Sequence, residues 1–342
     1  MPPARTVSFT RHAANLFFHI LTRCNLSCRH CYINPDQHGR RALPIDTIGQ
    51  WLRLLLAGRP AANVIFLGGE PTLHPDLALA VATARDCGAQ SVTIDTNGYL
   101  FHDILQRVTP DQVNNISFSL DGATAQTNDR LRGNGSYAQC LRGLKQAVAH
   151  GFTTSLIYTI NRQNIHEISQ MADRVADLGI TRFFFQVIGL RGNSAGAAAD
   201  DLRIDRRMWL EHVPAAAQAI AGRGITTIYP KVFLDPQDTF ECAGTVADNL
   251  FVFPNGRIYR CPLCEDFALH SMQIDNKRIV QRPLLTETDL FGLNIPEGCV
   301  MNKLIQPANI EYDRHGRPRY RIACCMLKQQ IDPAGSRFAR HN

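Results

Sequence analysis

Up to about residue 190 the chain repeats one pattern. A short, continuous apolar run meets a polar or glycine-rich break and is followed by a stretch with helical spacing. The runs are Leu16–Thr22, Asn63–Leu67, Ser91–Asp95, Asn115–Leu120, Thr154–Ile160 and Arg182–Ile188. Helical spacing shows in Pro44–Leu56 through Ile45, Ile48, Trp51, Leu52 and Leu55, and again in Leu77–Cys87, Tyr137–His150 and Ile165–Leu178. Strands without a polar alternation are buried on both faces, which requires a parallel sheet covered by helices. Right-handed crossovers let such a sheet curl. The expected fold is α/β: a partial (β/α)6 barrel of parallel strands with a smaller cysteine-rich, hairpin-containing C-terminal domain. Each distinctive motif falls just after a run, at the rim where curled parallel sheets bind ligands.

The 342 residues suffice for one large domain and a smaller one, and 45% hydrophobic with 19% charged content is globular rather than disordered. A net charge of +6 with no concentrated basic block makes nucleic acid an unexpected partner. Met1 to Asn15 lacks the apolar segment of a signal peptide, and no run reaches membrane-spanning length. Eleven cysteines in such a chain point to metal ligation rather than disulfides.

Three of them, Cys24, Cys28 and Cys31, follow the first run at C-x3-C-x2-C. A cubane [4Fe–4S] cluster takes four ligands, usually thiolates, so three cysteines leave one iron open. The alternatives are a zinc knuckle or unrelated core thiols. Zinc closes with four protein ligands, and His38 is the nearest candidate after Cys31. The spacing, with Tyr32 after it, resembles the radical S-adenosylmethionine (radical SAM) superfamily, in which the amino and carboxylate groups of SAM bind the open iron. The resemblance covers about residues 13–190 and implies a six-unit βα core.

That resemblance implies a SAM site. Gly68-Gly69-Glu70 after the second run is similar to the family's GGE motif, which contacts the methionine amino group; glycines allow close backbone approach and Glu70 brings negative charge. Ser119 resembles the fourth-strand position that reaches the SAM carboxylate or ribose, while Asp121 reads either as part of that site or as a helix N-cap. Arg132 either offers its fork to the SAM carboxylate or is simply exposed. Asn97 is expected close to SAM, and Ile188, Gly189 and the Tyr32 backbone beside adenine. His19 and His74 read as packing or hydrogen-bonded residues, and Cys87 and Cys140 as small buried hydrophobes.

The other six cysteines lie beyond residue 225. Leu250 to Arg260 reads as a β-hairpin around Asn255-Gly256, and the spacing from Cys242 through Gly256 to Cys261 resembles the opening of SPASM and twitch auxiliary-cluster extensions. Full SPASM domains continue with C-x2-C-x5-C-x3-C and a further cysteine; this chain offers Cys264, Cys299, Cys324 and Cys325 instead. Two auxiliary clusters would want up to eight thiols and one wants four, so one auxiliary [4Fe–4S] cluster is expected on Cys242, Cys261, Cys299 and Cys324. Cys264 or Cys325 is then spare, a possible hydrogen-atom donor. A zinc ribbon is the alternative. A second hairpin is expected in Asn309–Ile322, with Arg317, Arg319 and Arg321 on one face, either solvated or meeting an anionic substrate.

The expected division is an N-terminal segment (1–12), the radical SAM core (13–190), a linker or lid with a helix (191–224), the auxiliary-cluster domain (225–333) and a polar tail (334–342). The resemblance implies reductive cleavage of SAM to a 5′-deoxyadenosyl radical and hydrogen abstraction from substrate. A peptide is the first expectation, with oxidation favoured over epimerisation. A sugar or nucleotide dehydrogenase or epimerase is the alternative, and an iron–sulfur electron carrier a remote one. The 23 residues before Cys24 are too few for the peptide-recognition domain that many maturases carry. Oxygen-sensitive clusters imply a reducing cytoplasm, and the reaction an electron donor such as flavodoxin or ferredoxin.

Overall fold

The computed structural model describes residues 3–7, 9, 14–196, 199–235, 237–282 and 284–333. The strands are β1 (Arg5–Val7), β2 (Ala14–Leu21), β3 (Asn63–Gly68), β4 (Ser91–Thr96), β5 (Asn115–Ser119), β6 (Thr154–Ile160), β7 (Arg182–Val187), β8 (Thr226–Pro230), β9 (Phe233–Leu234), β10 (Asp248–Val252), β11 (Arg257–Tyr259), β12 (Met272–Asp275), β13 (Arg278–Gln281), β14 (Arg321–Ile322) and β15 (Lys328–Ile331). Thirteen of them form one sheet in the order β1-β15-β8-β7-β6-β5-β4-β3-β2-β10-β11-β12-β13. β2 to β7 are the six expected parallel strands, each boundary within two residues of its apolar run. The parallel series is longer than that: β8 joins β7 and β10 joins β2, both in parallel. The C-terminal region therefore shares the core's sheet. Its hairpin forms as expected, β10 pairing antiparallel with β11.

Even-numbered residues of β2 and β3 turn toward the helices. Phe18 and Phe66 are fully buried there, and Trp51 of helix Ile45–Leu56 stacks on Phe18 at 6.2 Å. Odd-numbered residues turn to the other, inner face. At its base Asn249, Asn15, Asn63 and Ser91 lie side by side on β10, β2, β3 and β4, linked by side-chain hydrogen bonds of 2.8, 2.9 and 2.6 Å. Along this polar rung each amide Oδ1 accepts from the side chain of its neighbour. One step along, Phe17 stacks on Phe251 at 4.4 Å.

Two expectations change. Ile165–Leu178 is not one α-helix but a 3-10 stretch, Ile165–Gln170, running into helix Met171–Val175. Glu167 is drawn inward to accept from the Ala123 and Thr124 amides and the Thr124 and Thr127 hydroxyls, a tertiary anchor that helical spacing does not carry. Asn309–Ile322 forms only a short tip of the expected hairpin: Gly316 N donates to Asp313 O in the turn, and the Tyr312–Pro318 bridge is flanked by Asp313 N to Arg317 O (2.8 Å) and Arg319 N to Glu311 O (2.9 Å). The tail expected at 334–342 and most of the segment 1–12 lie outside the described residues. No helix among the described residues is long and apolar enough to cross a membrane.

Candidate active site

β2 ends in a register shift between His19 and Leu21, which turns the chain into the cysteine loop at the rim. Cys24, Cys28 and Cys31 are free and half-buried. The loop is pinned from several elements. Arg29 N donates to Leu131 O, Asn193 N to Cys31 O at 2.8 Å and Asn193 Nδ2 to Cys28 O at 3.0 Å. Gly192 lies so close that a Cβ there would stand 2.4 Å from Cys31 O, at a φ of 57° that also favours glycine. Burial pushes the Cys24 thiol up to about 12 and Cys28 to about 11, and burial raises Cys31 too. Such thiols do not ionise without a cation to pay for the charge. Among the described residues no three His, Cys, Asp or Glu side chains converge on one metal ion. A donor set of three separated thiols on a fixed loop suits a body larger than an ion, as a cubane is.

The Gly68-Gly69-Glu70 turn packs under this loop. Cβ atoms at Gly68 and Gly69 would stand 2.3 Å from Leu21 O and 2.2 Å from Arg23 O, so the close approach is to the chain entering the loop. Glu70 is fully buried. Its Oε1 accepts from Thr72 N, Thr72 Oγ1 and Thr96 Oγ1, and its Oε2 from Asn97 N at 2.7 Å. It thus staples the ends of β3 and β4 and keeps spare accepting capacity only on Oε2. Asn97 goes on to the loop, donating to Asn25 Oδ1 at 2.8 Å and lying 3.8 Å from Cys24 Sγ.

Asp121 is a hub rather than an N-cap; Thr124 caps helix Ala125–Arg132, accepting from Thr127 N. Asp121 is wholly buried, accepts from Thr159 N at 2.6 Å, and faces His30 Nε2 at 2.9 Å and Arg132 Nε at 2.5 Å. Burial would raise this carboxyl, but the Arg132 guanidinium and His30 hold it down at about 2. Arg132 is buried, which removes the reading of an exposed side chain. Its Nη groups make no hydrogen bond among the described residues, leaving a fork for an anion. Ser119 ends β5 two residues before Asp121, half-buried. Ile188 is packed with Leu131, Leu190 and Leu202, its carbonyl accepting from Gln306.

His19 and His38 stack on opposite sides of the packing order, each on Phe253, at 4.1 and 3.9 Å. His19 bonds Val252 O and the Tyr32 hydroxyl (2.6 Å), and burial lowers it to about 3. Arg191 lies over the Tyr32 ring and pairs with buried Glu265, whose carbonyl contacts His38 Nε2. His74 bonds Leu43 O. The two histidines noted in the sequence are structural, as read. Cys140 is buried; Cys87 is half-buried against the core. Arg317 pairs with Asp313, and Arg319 and Arg321 reach backbone carbonyls, so the three are used locally.

The C-terminal cysteines come from four segments and meet. Cys242, Cys261, Cys299, Cys324 and Cys325 meet at one apolar pocket, with Phe240, Leu290 and Met301 among its walls and about 20 Å³ of free space between them. Cys264, buried, sits behind it against Cys261. Glu287 braces the loop, accepting from Arg260 N, Cys261 N and Ser271 Oγ at 2.5, 3.1 and 3.0 Å. Five thiols meeting at one place form a donor set suited to a cluster. Sequence reasoning missed Glu287, Arg191, Gly192 and Asn193, whose partners are remote in the chain. It also missed Asp95, which faces Ser117 across the inner side of the sheet and is pushed up to about 7 by burial. Its position one residue before Thr96-Asn97-Gly98 was the available signal.

The sequence profile of the Radical SAM superfamily matches residues 18–175. Fe-coproporphyrin III synthase of Methanosarcina barkeri is 31% identical over 207 residues, 59% of this chain and 51% of that protein. Mycofactocin maturase MftC of Mycobacterium ulcerans is 28% identical over 268 residues, 72% of this chain and 66% of that protein. The chain thus spans about half to two thirds of the length of these relatives. In fold it is similar to Streptococcus suis SuiB bound to precursor peptide SuiA, with a TM-score of 0.61 and 14% identity, covering 88% of this chain and 66% of that one. With the three-cysteine loop on the rim of a parallel sheet, the profile match shows that residues 18–175 carry a radical SAM domain.

Proposed function

We propose that the chain is a radical SAM enzyme that modifies a peptide, with a [4Fe–4S] cluster on Cys24, Cys28 and Cys31 and an auxiliary cluster of the SPASM or twitch kind on Cys242, Cys261, Cys299 and Cys324. The observation that carries this reading is the meeting of five C-terminal thiols around one cavity in a protein whose sheet also carries the pinned three-cysteine loop. The cluster and SAM together supply reductive homolysis to methionine and a 5′-deoxyadenosyl radical, which takes a hydrogen atom from substrate. The residues hold and aim. Glu70 Oε2 and the backbone of Gly68 and Gly69 take the amino group, Arg132 offers its Nη fork to the carboxylate, and Ser119 and Asn97 complete the polar wall. Asp121 keeps the Arg132 fork in place through Nε. The backbones of Tyr32 and Ile188 flank the adenine. An auxiliary cluster held by the C-terminal thiols would accept an electron, which favours oxidation; Cys264 and Cys325 are the thiols left over, and either could be the spare hydrogen-atom donor.

The peptide assignment leans on the maturase relative and the peptide-bound fold neighbour. A second reading, a small-molecule substrate, is favoured by the relative named Fe-coproporphyrin III synthase. The test of the class is anaerobic incubation of reconstituted protein with SAM and dithionite. Release of 5′-deoxyadenosine and methionine is expected; their absence from protein with full iron content overturns the reading.

A further inference from the structure

Beside the cysteine loop the rim carries an open groove of about 640 Å³, walled by residues 21–23, 40–45 and 73–76. Arg23, Arg40 and Arg41 line it. All three are exposed, and none has an ion pair or side-chain hydrogen bond among the described residues. One carboxylate, Asp76, shares the groove; it stands at the N-cap of helix Leu77–Asp86 without capping it. The walls are fixed. Thr22 N donates to Arg41 O at 3.1 Å, Thr22 Oγ1 to Gly39 O at 2.9 Å, and the His74 ring joins Leu43 O to Asp76 N through bonds of 2.8 and 3.2 Å. Three arginines along one groove against a single carboxylate give it a positive charge that favours an anionic surface.

Arg23 directly precedes Cys24, so their Cα atoms are about 3.8 Å apart. We propose that this groove docks an acidic one-electron donor protein, which delivers its electron to the cluster on Cys24, Cys28 and Cys31. The inference rests on the cluster reading above. One electron leaves the donor and enters the cluster; no bond is made or broken. Electron-transfer encounters use small, polar interfaces steered by opposite charge, and a site that touches the cluster loop shortens the transfer. A small anion is a poorer occupant. It would need donors converging on one point, whereas these arginines are exposed side chains spread along an open groove.

The experiment compares wild-type protein with the R23E/R40E/R41E variant, using reduced flavodoxin as the probe. Binding is followed by fluorescence anisotropy with metal-free protein and with holoprotein. Cluster reduction is followed by absorbance, and SAM cleavage by 5′-deoxyadenosine. The variant should bind flavodoxin at least about tenfold more weakly at low salt, and the wild type should lose affinity as salt rises. Flavodoxin-driven cleavage should fall about as far, while dithionite-driven cleavage stays unchanged. R314E/R319E, reversing charge on a distant turn, should bind and react as wild type does. Equal flavodoxin binding and reduction by wild type and R23E/R40E/R41E overturns the proposal. So does tight pyrophosphate binding that the variant loses while flavodoxin binding persists. Absence of dithionite-driven cleavage in the wild type would instead strike the cluster reading, with the metal-free binding measurement still deciding the docking surface.

Discussion

Cys24, Cys28 and Cys31 sit on one short loop, half-buried at the rim, and the fold's work is to hold that loop's backbone. The C-terminal thiols come from the chain before helix Ala243–Val246, after β11, before helix Val300–Ile305 and after β14, and the fold's work is to bring them together. The first set is local and open on one side, which suits a cluster that must admit a non-protein ligand. The second is assembled among apolar walls, which suits a cluster with four protein ligands that exchanges electrons only. Two kinds of site follow from two ways of spending sequence: spacing in one, topology in the other.

The largest expected effect divides the two. Changing Cys24, Cys28 and Cys31 together to Ala should abolish 5′-deoxyadenosine formation, whereas Cys242→Ala with Cys324→Ala should leave SAM cleavage and block product. If the second pair of changes also stopped SAM cleavage, the two sites would not be separable in function, and the comparison would break.

Next comes the anchor of the first loop. Asp121→Ala leaves buried Arg132 and His30 without their carboxylate, a change that costs about 3–5 kcal/mol where a buried pair is broken. Urea unfolding of the metal-free protein measures it. A loss under about 1 kcal/mol, the scale of an exposed pair, would show that the hub does not hold the loop.

A smaller effect sharpens the link between the regions, where His19 and His38 flank Phe253. Burial lowers them to about 3 and about 4. Each is neutral in the folded protein at pH values where the unfolded chain, with its ordinary value near 6.5, already binds a proton. Stability is therefore complete above about pH 6.5 and is lost as the pH falls toward the folded values. Between pH 6.5 and 5 each histidine should cost about 2 kcal/mol. His38→Phe should flatten that slope by about half; an unchanged slope between pH 7 and 5 would mean that other groups set it.

The sequence carried the parallel strands because burial on both faces writes itself as uninterrupted apolar runs, and it carried the first loop because its ligands are neighbours in the chain. The ladder through β10 was not legible. Leu250 to Arg260 reads as a local hairpin, and nothing in it states that Asn249 will align with Asn15. Asp121 stayed open between the site and a cap for a similar reason: its partners His30 and Arg132 are remote in the chain and meet it only in the fold. The grouping of Cys242, Cys261, Cys299 and Cys324 was reached by counting, and the structure places them around one cavity together with Cys325.

Iron counting with Mössbauer spectroscopy on anaerobically reconstituted protein tests the two-site account most directly. The wild type should hold about eight iron atoms as two cubanes, and the Cys24, Cys28 and Cys31 triple Ala variant about four. A wild type that saturates near four, with none left in the triple variant, would contradict it.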